Sequence, residues 1–175
     1  DEGGNVYVGA ATTSHAVFVY APQGTHRYNI GGWDGKPAVP GAPCTPYPAY
    51  IALGEGSKIY VSSNGYGREP SAYDRSKAGF EGFLYRCNEN TGAYFSALAY
   101  GGEDIFYGLS WNAAPVYRIT DTGGGLEMKA VVGVRGDLPG QLKEPVNAFC
   151  DGKGGVWVAD RATSRVSRFF DSAGE

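Results

Sequence analysis

Glycines, a glutamine and a proline stand at set intervals in the stretch Gly133-Val-Arg-Gly136-Asp-Leu-Pro-Gly140-Gln141-Leu142-Lys-Glu-Pro145. Two short segments follow it, Gly155-Val-Trp-Val-Ala-Asp160 and Arg165-Val-Ser-Arg-Phe-Phe170. In both segments β-branched and aromatic residues alternate with small or polar ones, which favours strands that bury one face. The stretch therefore predicts a loop that opens a series of β-strands, and we call residues 133–145 the opening loop.

The strand core Val156-Trp157-Val158 recurs along the chain in weaker forms. Its aromatic centre has counterparts at Tyr7, Tyr60 and Tyr107, so the four centres are 53, 47 and 50 residues apart. A period of about 50 residues is typical of one four-stranded propeller blade. Because a blade cannot bury both of its faces alone, a repeated blade indicates an array of blades.

A second strand-like segment follows each core, at 17–20, 83–86, 116–119 and 166–169. Helix is disfavoured, because the chain has 28 glycines and 10 prolines in 175 residues and no sustained 3.6-residue apolar period. In the third unit, too little chain separates Tyr100 from Ile105 for an opening loop and a full first strand. We therefore expect that unit to lack one strand.

The segment from Gly133 to Gly174 resembles an NHL repeat, the blade unit of one class of β-propeller. The resemblance covers about forty residues and includes the opening loop, a V-W-V-A-D strand, an R-V-x-x-F strand and a closing glycine turn. It implies an all-β fold, a β-propeller segment with NHL-like four-stranded blades. We place the blade units at approximately 1–32, 46–101, 102–133 and 145–175, roughly three and a half blades.

The resemblance also bears on the ends of the chain. NHL-like propellers usually close with six blades, so the sequence is expected to be a segment of a longer polypeptide. Strands at its ends would then pair with other protein chains or with the missing blades of the same polypeptide. The alternative is a compact four-bladed ring in which the two ends share a blade.

Charge and hydropathy exclude two classes of partner. The net charge is −3 and no Lys/Arg cluster occurs, so a nucleic-acid surface is not expected. No apolar run approaches the ~20 residues of a membrane span. Few lysines, 13 tyrosines and a Gly/Ser/Thr/Asn-rich surface favour an extracellular or periplasmic location.

Three cysteines occur, Cys44, Cys87 and Cys150, and their spacing matches neither a zinc knuckle nor a haem attachment. Cys44 lies in a predicted loop and Cys87 on a strand of the same blade, so the two could form a disulfide. The alternative is that they are buried thiols that act as small hydrophobic residues.

Resemblances to two enzyme families suggest two kinds of metal site. Gluconolactonase-type enzymes are six-bladed relatives of NHL propellers that hold Ca²⁺ or Zn²⁺ in the central funnel, with an Asn or Asp directly after the blade-opening proline. Here Pro145 is followed by Val146 and only then by Asn147, which makes Asn147 a weak metal ligand or a strand-start turn residue. A zinc lyase of the peptide-amidating kind needs histidines from several blades, whereas His15 and His26 belong to one unit.

The tripeptide Arg135-Gly136-Asp137 can act as an integrin-recognition loop in secreted proteins. The opening loop itself requires Gly136, however, so Arg135 and Asp137 can flank this glycine by chance, without a role in integrin recognition.

The connection from Ser62 to Gly82 is about twice as long as the others between strands. We predict that it contacts a partner through Tyr66, Arg68, Tyr73 and Arg75, because Tyr and Arg are enriched at binding hot spots. The alternative is a loop that packs over its own blade. The sequence thus predicts a non-catalytic scaffold for protein or ligand binding, without a cofactor; the alternative is a Ca- or Zn-dependent lactonase-like hydrolase.

Overall fold

The structure is a computed structural model and describes residues 1–10, 15–32, 48–63, 69–87 and 92–170. These residues form fourteen β-strands and no helix. In chain order the strands are β1 (Val6–Ala10), β2 (Ala16–Tyr20), β3 (His26–Gly31), β4 (Pro48–Leu53), β5 (Lys58–Ser63), β6 (Ser71–Asp74), β7 (Phe83–Arg86), β8 (Phe95–Gly102), β9 (Ile105–Ser110), β10 (Val116–Asp121), β11 (Leu126–Val132), β12 (Pro145–Cys150), β13 (Gly155–Asp160) and β14 (Arg165–Phe170).

The strands form four antiparallel sheets in which each strand pairs with its neighbour in the chain. Within the described residues, the first sheet is β1-β2-β3, the second β4-β5-β6-β7, the third β8-β9-β10-β11 and the fourth β12-β13-β14. The predicted all-β fold with four-stranded units is therefore confirmed.

The expectation that the third unit lacks a strand is wrong. Residues Phe95–Gly102 form β8, which pairs with β9 and supplies the third sheet with its first strand. The two strands are joined by a tight turn in which Glu103 and Asp104 have φ values of 51° and 59°. The expectation failed because the first strand does not lie between Tyr100 and Ile105: it begins upstream, almost entirely in residues that the sequence assigned to the preceding unit, 46–101.

The predicted long connection from Ser62 to Gly82 is also wrong as a single loop. Its middle forms β6, which pairs with β5 on one side and with β7 on the other. With only four residues, Ser71–Asp74, β6 is too short for its alternation to stand out from the polar residues around it.

The predicted equivalence of the aromatic centres is confirmed for three sheets. Tyr60, Tyr107 and Trp157 are each the third residue of the second strand of their sheet. They lie opposite Ala52, Ala99 and Phe149 of the neighbouring first strands. Tyr7 lies in β1, the strand of the first sheet that carries the same motif.

Among the described residues the core consists of three apolar clusters, one at each junction between successive sheets. The first joins the first two sheets through buried residues that include Val17, Val19, Ile59 and Tyr73. The second joins the second and third sheets around Tyr60 and Phe106, and the third joins the third and fourth sheets around Tyr107 and Val158. Burial of apolar surface between sheets, at about 25 cal/mol per Å², is what holds the array together.

Candidate functional site

The second strands of the sheets end at a common edge of the array. Their last residues, Ser63, Ser110 and Asp160, each pair with the first residue of the preceding strand. We call this edge, with the described connecting residues 69–70, 92–94, 111–115, 133–144 and 161–164, the loop edge. The opposite edge, which carries the short strand-to-strand turns, is called the turn edge.

Arg135 fixes the opening loop to the neighbouring connection at the loop edge. Its guanidinium donates hydrogen bonds to the backbone carbonyls of Ser110, Ala113 and Lys143. Burial lowers the pKa of Arg135, although nearby Asp160 opposes that effect. The side chain is thus used by the fold, which argues against the integrin-type role considered for the tripeptide that contains Arg135.

Asp160 attaches the end of the opening loop to the end of β13. The residue is 3% exposed, and its carboxylate accepts hydrogen bonds from the backbone N–H groups of Lys143, Glu144 and Thr163. Burial opposes ionisation, but these donors hold the pKa of Asp160 below its usual value. The opening loop is therefore anchored at both ends, through Arg135 and Asp160.

An aromatic pair lies on the same edge, with Trp111 exposed and Tyr94 half-buried. Trp111 is 53% exposed, and its ring centroid lies 5.1 Å from that of Tyr94. Asn112 holds the two segments together, because its side chain accepts from the N–H of Tyr94 at 2.6 Å and donates to the carbonyl of Gly92 at 2.9 Å. The two rings thus lie on backbone segments that the hydrogen bonds of Asn112 hold together.

Val134 and Leu138 of the opening loop add exposed apolar surface at the loop edge, with 58% and 65% of each residue accessible. Sequence reasoning missed this group because none of its members breaks the repeat pattern. The one available signal was Trp111, a tryptophan directly after a strand core and before the turn-forming segment Asn112-Ala-Ala-Pro115.

The four residues predicted for partner binding do not form one group. Tyr66 and Arg68 lie outside the described residues. Tyr73 is fully buried in the first junction, so its ring offers no surface to a partner. Arg75 lies on the turn edge, where its guanidinium donates to the carbonyl of Gly56 at 2.6 Å.

The predicted cysteine pair is likewise only partly described. Cys87 is buried, and Cys44 lies outside the described residues. Burial raises the pKa of the Cys150 thiol to about 11, so at neutral pH this group is protonated and a poor nucleophile.

A cavity of about 320 Å³ lies between the first strands of the last three sheets, where a central funnel would hold a metal. Its lining includes Ala49, Tyr50, Ser96 and the weak metal candidate Asn147, but no carboxylate. Across residues 1–10, 15–32, 48–63, 69–87 and 92–170, no group of three or more His, Cys, Asp or Glu side chains could hold a metal ion. The described residues therefore give the lactonase alternative no support.

A buried polar network joins the second and third sheets near the turn edge. Asp121 accepts hydrogen bonds from the hydroxyls of Tyr60, at 2.7 Å, and Tyr85. Lys58 lies 3.0 Å from Asp121 and 2.9 Å from Asp104, bridging the two carboxylates. The side chain of Asp121 is fully buried, so these partners replace the water that a carboxylate needs.

The pKa values of the network follow from this geometry. Burial opposes ionisation of Asp121, yet the hydroxyls of Tyr85 and Tyr60 hold its pKa below the usual value. Burial and the bond to Asp121 raise the pKa values of Tyr60 and Tyr85. Burial alone would lower the pKa of Lys58, but the two carboxylates raise it. At neutral pH these shifts favour charged Asp121 and Lys58 and neutral Tyr60 and Tyr85. Such an arrangement suits a structural role rather than proton transfer.

No helix that is long and apolar enough to cross a membrane occurs among the residues whose structure is described.

Comparisons with known proteins identify the fold. No protein-family profile matches the sequence, and no curated protein matches it. Among solved structures, a chain in the crystal structure of the mitotic checkpoint complex matches with a TM-score of 0.64 at 8% identity, over 97% of this chain and 48% of that chain. The β-propeller domain of Cps50 (Swd1) from Myceliophteria thermophila matches with a TM-score of 0.63 at 11% identity, over 97% of this chain and 51% of that chain.

These matches show a β-propeller fold, in agreement with the four antiparallel sheets. The chain spans about half the length of the structures that it matches. At such low identity the likeness concerns the fold alone.

Proposed function

We propose that this chain is a non-catalytic β-propeller scaffold that binds a protein partner through the loop edge. The observation that carries the proposal is the exposed ring of Trp111, which lies beside half-buried Tyr94 on backbone fixed by Asn112. Tryptophan and tyrosine are enriched at hot spots, and an anchored loop loses little conformational freedom when a partner binds.

Two further features support this choice. The exposed side chains of Val134 and Leu138 extend the apolar surface on the same edge. One structural match lies within a multi-protein assembly, the mitotic checkpoint complex, so the fold is compatible with a place among protein partners. The finer proposal that the blades are of the NHL type rests on the sequence resemblance in 133–174, and the extracellular or periplasmic location rests on composition.

Only some of the residues predicted from the sequence belong to the proposed binding face. The strands that flank Tyr66 and Arg68, β5 and β6, meet the loop edge at Ser63 and Ser71, so we keep these two residues as part of the binding face. Arg75 lies on the opposite edge, and a partner bound to the loop edge would not reach it.

The proposal is tested with binders selected from a random displayed-peptide library on the immobilised chain. Trp111→Ala is expected to weaken the selected binders about thirtyfold or more, because a tryptophan hot spot contributes at least about 2 kcal/mol. Leu84→Ala is the matched control, since Leu84 is 41% exposed but lies on β7 away from the loop edge. Tyr66→Ala with Arg68→Ala should weaken binding too, whereas Arg75→Ala should not.

Binders that respond to Leu84→Ala or Arg75→Ala, and not to Trp111→Ala, would place the binding surface elsewhere and overturn the proposal. Titration calorimetry of each variant supplies the affinities, and far-UV circular dichroism verifies that each variant is folded.

A further inference from the structure

The three junctions between sheets repeat one arrangement. The aromatic centre of one second strand faces the second residue of the corresponding strand in the next sheet. Tyr60 stacks on Phe106 with ring centroids 4.3 Å apart, and Tyr107 shares a buried cluster with Val156. Tyr7 packs in the same way against the cluster that contains Ile59. Each sheet thus has two faces. The face toward the next sheet carries the aromatic centre, and we call it the aromatic face. The face toward the previous sheet carries the residue directly before the aromatic centre, which is Val or Ile except for Phe106 of the third sheet, and we call it the aliphatic face.

The aliphatic face of the first sheet has no sheet against it among the described residues. Val6 and Val8, which occupy the positions of Ile59 and Val61, are 53% and 45% exposed. Their counterparts in the second sheet are 0% and 3% exposed. This face therefore has the chemistry of a junction but remains open to solvent.

The aromatic face of the fourth sheet is open in the same sense. Trp157, at the position of Tyr107, is 40% exposed, whereas Tyr107 is 6% exposed. Phe149 lies opposite Trp157, and the face also presents Val166 and Phe170, each of these three being 67% exposed. A contiguous apolar surface of this kind marks an interaction site.

A charged residue on the aromatic face does not prevent junction formation. Arg168 lies over the rings of Trp157, at 5.4 Å, and Phe170, at 4.3 Å, and its charge is paired with Asp151. In the third sheet, Arg118 has the same cross-strand position beside Tyr107 and is half-buried in a formed junction. An arginine beside the aromatic centre is therefore part of the arrangement.

We propose that a second copy of this chain covers both open faces, so that the fourth sheet of each copy packs against the first sheet of the other. One chain carries both halves of the junction, in the chemistry that it uses three times internally. It also spans about half the length of the propeller structures that it matches, so a second copy supplies the missing half of a ring. A head-to-tail contact closes into a ring when its rotation allows it, and propellers close with up to eight blades.

The test is the molar mass of the 175-residue chain in solution, measured by light scattering and sedimentation. The expected mass is twice 18.5 kDa. Trp157→Asp should weaken the dimer more than a hundredfold, because each ring contains the changed residue at both junctions. Val8→Asp, on the other face and in another sheet, should have the same effect.

Trp111→Asp is the matched control, since Trp111 is exposed to a similar degree but lies on the loop edge. It should leave the mass unchanged. A monomeric wild-type chain, open polymers in place of dimers, or a dimer that survives both Trp157→Asp and Val8→Asp would overturn the proposal. Far-UV circular dichroism separates loss of the dimer from loss of the fold, and this inference stands or falls independently of the loop-edge binding surface.

Discussion

At the scale of single residues, Asp121 links the second and third sheets through a buried carboxylate. Its side-chain partners Lys58, Tyr60 and Tyr85 come from the sheet before its own, and the backbone N–H of Gly123 also donates to it. Removing one partner of a buried ion pair leaves the other uncompensated, at a typical cost of about 3–5 kcal/mol. The exposed ion pairs of the chain contribute far less, because water and salt screen them.

We expect Asp121→Asn to lower the free energy of unfolding by about 3 kcal/mol, because the substitution removes the charge that faces Lys58. Urea denaturation followed by tyrosine and tryptophan fluorescence measures the change. Asp104→Asn is the control: its side chain is 40% exposed, and the expected loss is below about 1 kcal/mol. Equal losses for the two variants would show that the burial of Asp121 does not increase its contribution to the free energy of unfolding.

The same network predicts a dependence on pH. The folded state lowers the pKa of Asp121, so the unfolded chain binds the proton more readily. The stability that Asp121 supplies is thus fully present above its unfolded pKa of about 3.9 and is lost as the pH falls through the lower folded value. The stability difference between wild type and Asp121→Asn should be constant from pH 7 to about pH 5 and should narrow below pH 4. A difference that widens on acidification would contradict the assignment.

At the scale of elements, the sequence predicted the strands that carry the repeat and missed those that do not. The cores around Tyr60, Tyr107 and Trp157 occupy equivalent positions as expected, because β-branched and aromatic alternation marks half-buried strands. β6 was missed because it is only four residues long. β8 was missed because nearly all of its residues, Phe95–Gly102, were assigned to the end of the preceding unit.

The candidate site was less predictable than the fold. Its geometry depends on Arg135, Asn112 and Asp160 reaching backbone groups 3 to 25 residues away along the chain. A repeat pattern indicates which residues are apolar, but it does not indicate which distant backbone groups a side chain will hydrogen-bond. The burial of Tyr73 shows the same limit, since an aromatic residue in a polar stretch fits a core strand as well as a binding loop.

β6 gives a direct test at this scale. Tyr73→Ala should cost about 3–5 kcal/mol, because it opens a cavity in the first junction. Lys77→Ala, in the adjacent turn and with 53% of its side chain exposed, should change the stability by less than about 0.5 kcal/mol. Chemical denaturation of both variants measures the difference. If Tyr73→Ala were as mild as Lys77→Ala, the segment would behave as the loop that the sequence suggested.

At the scale of the whole molecule, stability should vary along the array. The second and third sheets each pack against two neighbours, whereas the first and fourth have one described neighbour each. In a linear array of this kind, local stability is a sum of unit and nearest-neighbour contributions. We expect amide hydrogens of β5 and β9 to exchange at least tenfold more slowly than those of β1 and β13, as hydrogen exchange with mass spectrometry can measure under conditions that keep the chain monomeric. Uniform protection across all four sheets would contradict this expectation.

The buried network has a consequence for the order in which the chain matures during synthesis. Tyr85 leaves the ribosome 36 residues ahead of Asp121, and Tyr60 leaves it 61 residues ahead. Until Asp121 emerges, a completed second sheet holds hydroxyls and a lysine whose buried partner does not yet exist, and desolvating them alone is unfavourable. The nascent second sheet should therefore remain hydrated on that face, and its docking should coincide with translation of the third sheet.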